Sequence, residues 1–174
     1  MERASRLQEQ EDQNESRKIK ILVGIIASLL VIIVMISIFY IRSTQPRRQA
    51  EKEATEIAKE QAHLETVDHF YWFTRKKTYF SVTGKDDKGE LLAVIIPKSG
   101  ENVTVLNQKD GVAEDNIRQI IETDYKEKNI QKISLGLYND KPTWEVVTKG
   151  DDGSLNYYLL SFENAEEIMV IKNV

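Results

Sequence analysis

Residues Ile21–Ile41, ILVGIIASLLVIIVMISIFYI, run without a charge or a proline. As a helix rising about 1.5 Å per residue the run is about 31 Å long, the thickness of a bilayer's hydrocarbon core. A buried helix of a water-soluble protein would place polar residues on one face, and none recurs here. A cleaved leader would end its apolar region in small residues, whereas this one ends in Phe39, Tyr40 and Ile41 followed by Arg42. The run predicts an uncleaved, single transmembrane helix. Tyr40 suits the membrane interface.

Basic residues flank it almost evenly: Arg17, Lys18 and Lys20 before, and Arg42, Arg47, Arg48 and Lys52 after. A short leading tail most simply stays in the cytoplasm, which sends the rest of the chain outside. Arg42, Arg47 and Arg48 are then placed to meet anionic headgroups. The tail, residues 1–20, is highly charged and holds too little apolar surface to fold alone.

The 24 Lys and Arg against 28 Asp and Glu leave a net charge of -4, the wrong sign for a nucleic-acid binder. The absence of cysteine removes disulfides, thiolate nucleophiles and cysteine-held metals. His63 and His69 are six apart, outside the three- or four-residue spacing of a helical metal pair. No hydrolase elbow, phosphate loop or dinucleotide fingerprint occurs. The reading is no enzyme, no metal, no cofactor and no small-molecule substrate.

Beyond the membrane run, Ala50, Ala54, Ile57, Ala58 and Ala62 recur at helical steps and predict a helix over about Pro46–Leu64. Strand signals follow at His69–Phe73, Thr78–Lys85, Leu91–Ile96 and Val103–Leu106, separated by turn residues. The order then repeats. Val112, Ala113, Ile117, Ile120, Ile121 and Tyr125 form a second helical stripe, and strands are expected at Ile133–Leu137, Thr143–Lys149, Leu155–Phe162 and Ile168–Ile171.

The stretches TYFSVTGKDD (Thr78–Asp87) and TWEVVTKGDD (Thr143–Asp152) align at an offset of 65 residues, and the helices align at 63. The second copy therefore carries about two extra residues in its first hairpin. Asp86-Asp87 and Asp151-Asp152 fall where hairpin turns are expected, so the repeated motif reads as scaffold rather than as a calcium site.

Two segments, YFSVTGKDDKGELLAVIIP (Tyr79–Pro97) and LGLYNDKPTWEVVTKGDDGSLNYYLLSFENAEEIMVI (Leu135–Ile171), resemble those of the YpmB/TseB-like membrane proteins of Gram-positive bacteria, built from two PepSY-like units. Lys141, Pro142, Trp144, Glu145 and Val146 match the core strand of a PepSY unit, and Asp152-Gly153 its turn. The segment Glu163–Glu167 keeps only Glu166 of the closing motif.

The resemblance implies an α+β chain: a transmembrane helix, then two tandem PepSY/cystatin-like units, each a helix on a three-to-four-stranded antiparallel sheet. The expected divisions are a cytoplasmic tail (1–20), a transmembrane helix (21–41), a juxtamembrane helix with the first unit (42–108) and the second unit (109–174). It further implies an extracytoplasmic regulator of cell-wall elongation that binds a class B penicillin-binding protein, a peptidoglycan transpeptidase. Regulation of an extracellular protease and ligand sensing are the alternatives.

A partner needs a surface. The run Phe70-Tyr71-Trp72-Phe73 puts aromatics on both faces of one strand, and Tyr157-Tyr158 does so more weakly. Either these residues bind the partner or one parity packs against the neighbouring unit.

Overall fold

A computed structural model describes the backbone of residues 2–174 and the side chains of residues 20–40 and 45–174. Helix α1 spans Glu2–Ala62. It takes in the charged tail, which by composition has no reason to fold alone; elongating an existing helix needs no new nucleus. Pro46, expected at the first turn of a new helix, lies inside α1. Proline removes a single backbone donor, and helix on either side of it carries the element through.

Chain contacts separate the residues up to Arg48 from those of Gln49–Val174. In the first part, every large apolar side chain between Ile21 and Tyr40 is at least half exposed. Ser28 and Ser37 donate their hydroxyls to the carbonyls of Ile25 and Ile33, both at 2.8 Å, so neither polar group needs a partner outside the helix.

The second part holds two antiparallel four-stranded sheets. The first has the order β1 (Leu64–Thr74), β2 (Thr78–Asp86), β3 (Leu91–Pro97), β4 (Thr104–Asn107), and the second the order β5 (Ile130–Tyr138), β6 (Lys141–Lys149), β7 (Leu155–Ser161), β8 (Glu167–Ile171). Helix α2 (Glu114–Thr123) lies between them in sequence. This is the α+β architecture expected, with four strands in each sheet.

His63, at φ 52°, ends α1 in the left-handed region and turns the chain straight into β1. Strand β1 consequently starts five residues before the expected aromatic run. The β5–β6 loop is only Asn139 and Asp140, both at positive φ, as a two-residue hairpin requires. Lys141 and Pro142, which precede the strand expected at Thr143–Lys149, are the first residues of β6. The hairpin from Leu135 to Trp144 is longer than its counterpart from Phe73 to Tyr79, which is where the two sequence offsets place the extra residues.

Asp86 Oδ1 accepts from the backbone N–H of Lys88 at 2.9 Å and of Glu90 at 2.8 Å. Asp152 Oδ1 likewise accepts from Ser154 N at 2.9 Å. One acid of each repeated pair is thus a turn-former.

Two cores hold the body. Ala54, Ala58 and Ala62 of α1 pack on Leu64, Val82, Val94 and Ile96, on one face of the first sheet. Alanine on the contacting stripe leaves little side chain between helix and sheet. The opposite face contributes Tyr71, Phe73, Tyr79, Ala93 and Ile95 to a second core. There they meet Ile117 and Ile121 of α2 and Leu135, Trp144, Val146, Tyr158 and Leu160 of the second sheet. Because the first sheet is covered on both faces, Ala93–Ile96 is buried without alternation.

Candidate functional site

Pairing of β1 with β2 sets Phe70 opposite Val82, Tyr71 opposite Ser81, Trp72 opposite Phe80 and Phe73 opposite Tyr79. Phe70 and Trp72 share the α1 face with Phe80, which stacks on Phe70 at 6.1 Å and meets Trp72 edge-on at 5.0 Å. Phe70 and Phe80 pack against the core under α1. Trp72 stays half-exposed, its indole N–H donating to Thr74 Oγ1 at 3.0 Å.

Tyr71 and Phe73 point the other way, 6% and 0% exposed, into the core shared with the second sheet. Of the two alternatives for the run, the second describes Tyr71 and Phe73: this parity packs against the second sheet. Tyr158 packs inward as well, being fully buried with its hydroxyl donating to Glu127. Of the six aromatics, Phe70, Trp72 and Tyr157 keep some solvent contact, on different sheets. Phe80 was missed, although its alternation with Val82 along β2 was readable. Arg47 and Arg48 are exposed, and the Arg42 side chain lies outside the described residues.

A polar centre that the sequence did not mark as a site lies apart from these aromatics. Glu145, in the middle of β6, is paired with Ser134 of β5 and Leu159 of β7, and its side chain is 4% exposed. Three donors converge on it. Ser134 Oγ donates at 3.2 Å, Lys132 Nζ at 3.4 Å, and Arg75 Nε, from the β1–β2 turn, forms a close ion pair. Arg75 also lies 4.6 Å above the Tyr157 ring. Its Nη2 is buried and has no hydrogen-bond partner among the described residues. Beside it opens a groove of about 610 Å³ whose lining includes Arg75, Lys132, Val147, Tyr157, Ile171 and Val174. Two further bonds reach between the sheets: Lys76 Nζ donates to Asn139 Oδ1 at 3.1 Å, and Ser81 Oγ to the Leu135 carbonyl at 2.7 Å.

A cleft of about 350 Å³ lies at the start of α2, lined among others by His69, Tyr71, Thr83, Glu114 and Trp144. Tyr71 donates to Glu114 Oε2 at 2.6 Å, and Trp144 Nε1 to the Val112 carbonyl at 2.9 Å, so both polar groups hold α2 in place. Burial, helped by the Glu114 carboxylate, raises the Tyr71 phenol well above the usual tyrosine range. Among the described residues no group of three or more His, Asp or Glu is placed to hold a metal ion.

Tyr125 donates to Glu167 Oε2 at 2.9 Å, and burial followed by that bond pushes its phenol up to about 12. A raised phenol favours the folded state in its neutral form. That contribution is complete below the ordinary tyrosine value of about 10 and is lost as pH climbs through the folded-state value. Phenolate absorbance of the detergent-solubilised chain should show a step near pH 12 that disappears in Tyr125→Phe. Ionisation of Tyr125 near pH 10 would contradict this geometry.

Residues 53–97 match the family model described as "Cell wall elongation regulator TseB-like domain". Over 148 residues the chain is 29% identical to the "Probable cell wall elongation regulator TseB" of Bacillus subtilis, covering 84% of this chain and 89% of that protein. The chain is thus similar to TseB/YpmB-like proteins along most of its length. The solved structure of the YpmB protein from Bacillus subtilis superposes with a TM-score of 0.60 at 24% identity, covering 70% of this chain and 95% of that one, so the fold is shared as well. The segment matched by the TseB-like family model starts in α1 and ends with β3, taking in the α1–sheet core and the strand that carries Trp72.

Proposed function

We propose that this chain is a membrane-anchored, non-enzymatic regulator of cell-wall elongation that binds a class B penicillin-binding protein outside the membrane. Similarity to the TseB/YpmB-like proteins carries the reading, because the relative matched along most of its length is named a probable cell wall elongation regulator. The anchor rests on α1, which is long and apolar enough to cross a bilayer and leaves its apolar side chains from Ile21 to Tyr40 uncovered by protein.

In this reading residues 1–20 lie in the cytoplasm and 21–41 span the membrane. Arg42, Arg47 and Arg48 meet the headgroups, and segments 42–108 and 109–174 are two PepSY-like units, supported by the matching strand order of the two sheets. The solvent-contacting aromatics Phe70, Trp72 and Tyr157 are the contact candidates. Confinement to the partner's membrane raises effective concentration, so even a modest interface suffices.

The test is affinity purification of the tagged full chain from membranes. Recovery of a class B transpeptidase, lost when Ile21–Ile41 is replaced by a cleavable leader, is the expected result. Repeated recovery of no wall-synthesis protein with the anchor intact would sink the proposal.

A further inference from the structure

We propose that the groove beside the β1–β2 turn, with Arg75, Lys132 and Tyr157 in its lining, receives an aspartate or glutamate side chain of the protein partner. The inference rests on the regulatory reading above and names the chemistry of the contact.

The local charge does not balance. Arg75 and Lys132 supply two cations against the single carboxylate of Glu145. Both oxygens of that carboxylate are already engaged, Oε1 by Arg75 Nε and Oε2 by Lys132 and Ser134. One positive charge is left over, in a protein whose net charge is -4. The surplus has a definite address: Arg75 Nη2 is buried and has no acceptor among the described residues. An unpaired charged donor is costly, and a second carboxylate on the guanidinium would remove that cost.

The groove is also accessible. The Lys132 side chain is 42% exposed and that of Arg75 22%, so an entering carboxylate reaches Lys132 from solvent and lies beside the guanidinium, whose buried Nη2 it meets once Arg75 turns. Beyond Thr74 and the already engaged Glu145, the other walls are Val147, Tyr157, Ile171 and Val174, with Arg75 lying over the Tyr157 ring. An acid next to an apolar residue, presented by a protein segment, satisfies the charge and covers this apolar wall together. A phosphate-bearing lipid would supply the charge alone.

The test uses the full chain in its membrane. A photoreactive residue replaces Val174, which lines the groove and is 67% exposed, and in a separate chain replaces Trp72, on the α1 face of the first sheet. The expected result is that position 174 captures the class B transpeptidase through a peptide carrying Asp or Glu beside an apolar residue. Lys132→Glu should lower that yield about tenfold and Lys132→Gln severalfold, because the charge acts at the contact itself. Changing the captured acid to lysine should restore the yield against Lys132→Glu.

Capture from position 72 but not 174 would overturn the groove and leave the regulatory reading standing. So would yields indifferent to both Lys132 variants, or crosslinks from 174 to phospholipid alone. Failure of both positions, with nothing recovered by affinity purification, would overturn the regulatory reading and the groove together.

Discussion

Arg75→Ala is expected to cost about 3 kcal/mol of stability, at the lower end of the range for breaking a buried ion pair. The two partners are not equivalent. Arg75 stands 22% exposed, and without Glu145 its guanidinium could still find water, whereas Glu145 is 4% exposed in the middle of β6. Removing the arginine strands a buried carboxylate with only Lys132 at 3.4 Å and Ser134 at 3.2 Å. Arg75→Ala should therefore be the more damaging half of the pair. Replacing both residues by methionine should recover most of the loss, because the cost lies in the unpaired charge rather than in the missing attraction. Thermal or urea unfolding of Arg75→Ala, Glu145→Ala and the double methionine variant in detergent decides it. Equal losses for Arg75→Ala and the double variant would show that the pair contributes through packing instead.

Phe73→Ala should cost more, about 3–5 kcal/mol, as expected for emptying a fully buried aromatic site. Phe73 is 0% exposed and belongs to the core where the two sheets and α2 meet. Its ring lies directly over Gly136 of β5, so closely that a Cβ there would overlap it. Glycine is needed at 136 for space: its φ is not in the positive region, and the backbone could carry any residue. Gly136→Ala alone should therefore destabilise, by about 1–3 kcal/mol as overpacking does. Combined with Phe73→Ala it should cost less than the sum, since the added methyl enters the vacated volume. Trp72→Ala, next along the strand but half-exposed, should cost under about 1 kcal/mol if Trp72 acts mainly in binding. A loss at Trp72 as large as at Phe73 would mark the tryptophan as structural and weaken its candidacy as a contact.

The contrast between these neighbours shows what was legible in advance. Period-2 geometry forces Phe70 and Trp72 to one face and Tyr71 and Phe73 to the other whatever the fold. Which face meets a second layer is a property of the distant Gly136, Leu135 and Trp144, and no pattern within the strand carries it. Arg75 and Glu145 show the same limit at larger separation. By sequence Arg75 falls in the gap between two expected strands, and Glu145 within a strand motif. Their pairing across 70 residues appears only when the β1–β2 turn reaches the second sheet. The candidate groove was invisible for that reason, since its cations come from β5 and from the β1–β2 turn.

By itself the sequence determined the features that follow from local physics. These are an apolar helix of bilayer length, the alanine stripe of α1, the strands with their turns, and a repeated Asp that closes a hairpin. Each depends on hydrophobic pattern or turn chemistry within about two dozen consecutive residues. Only the tertiary structure decided that the first sheet is covered on both faces, which made Tyr71 and Phe73 core and left Trp72 in contact with solvent. It alone placed Arg75 against Glu145 with Nη2 unmatched. Burial and ion pairing depend on what the rest of the chain brings alongside, and a strand's own residues encode which side faces a neighbour only as a choice between two.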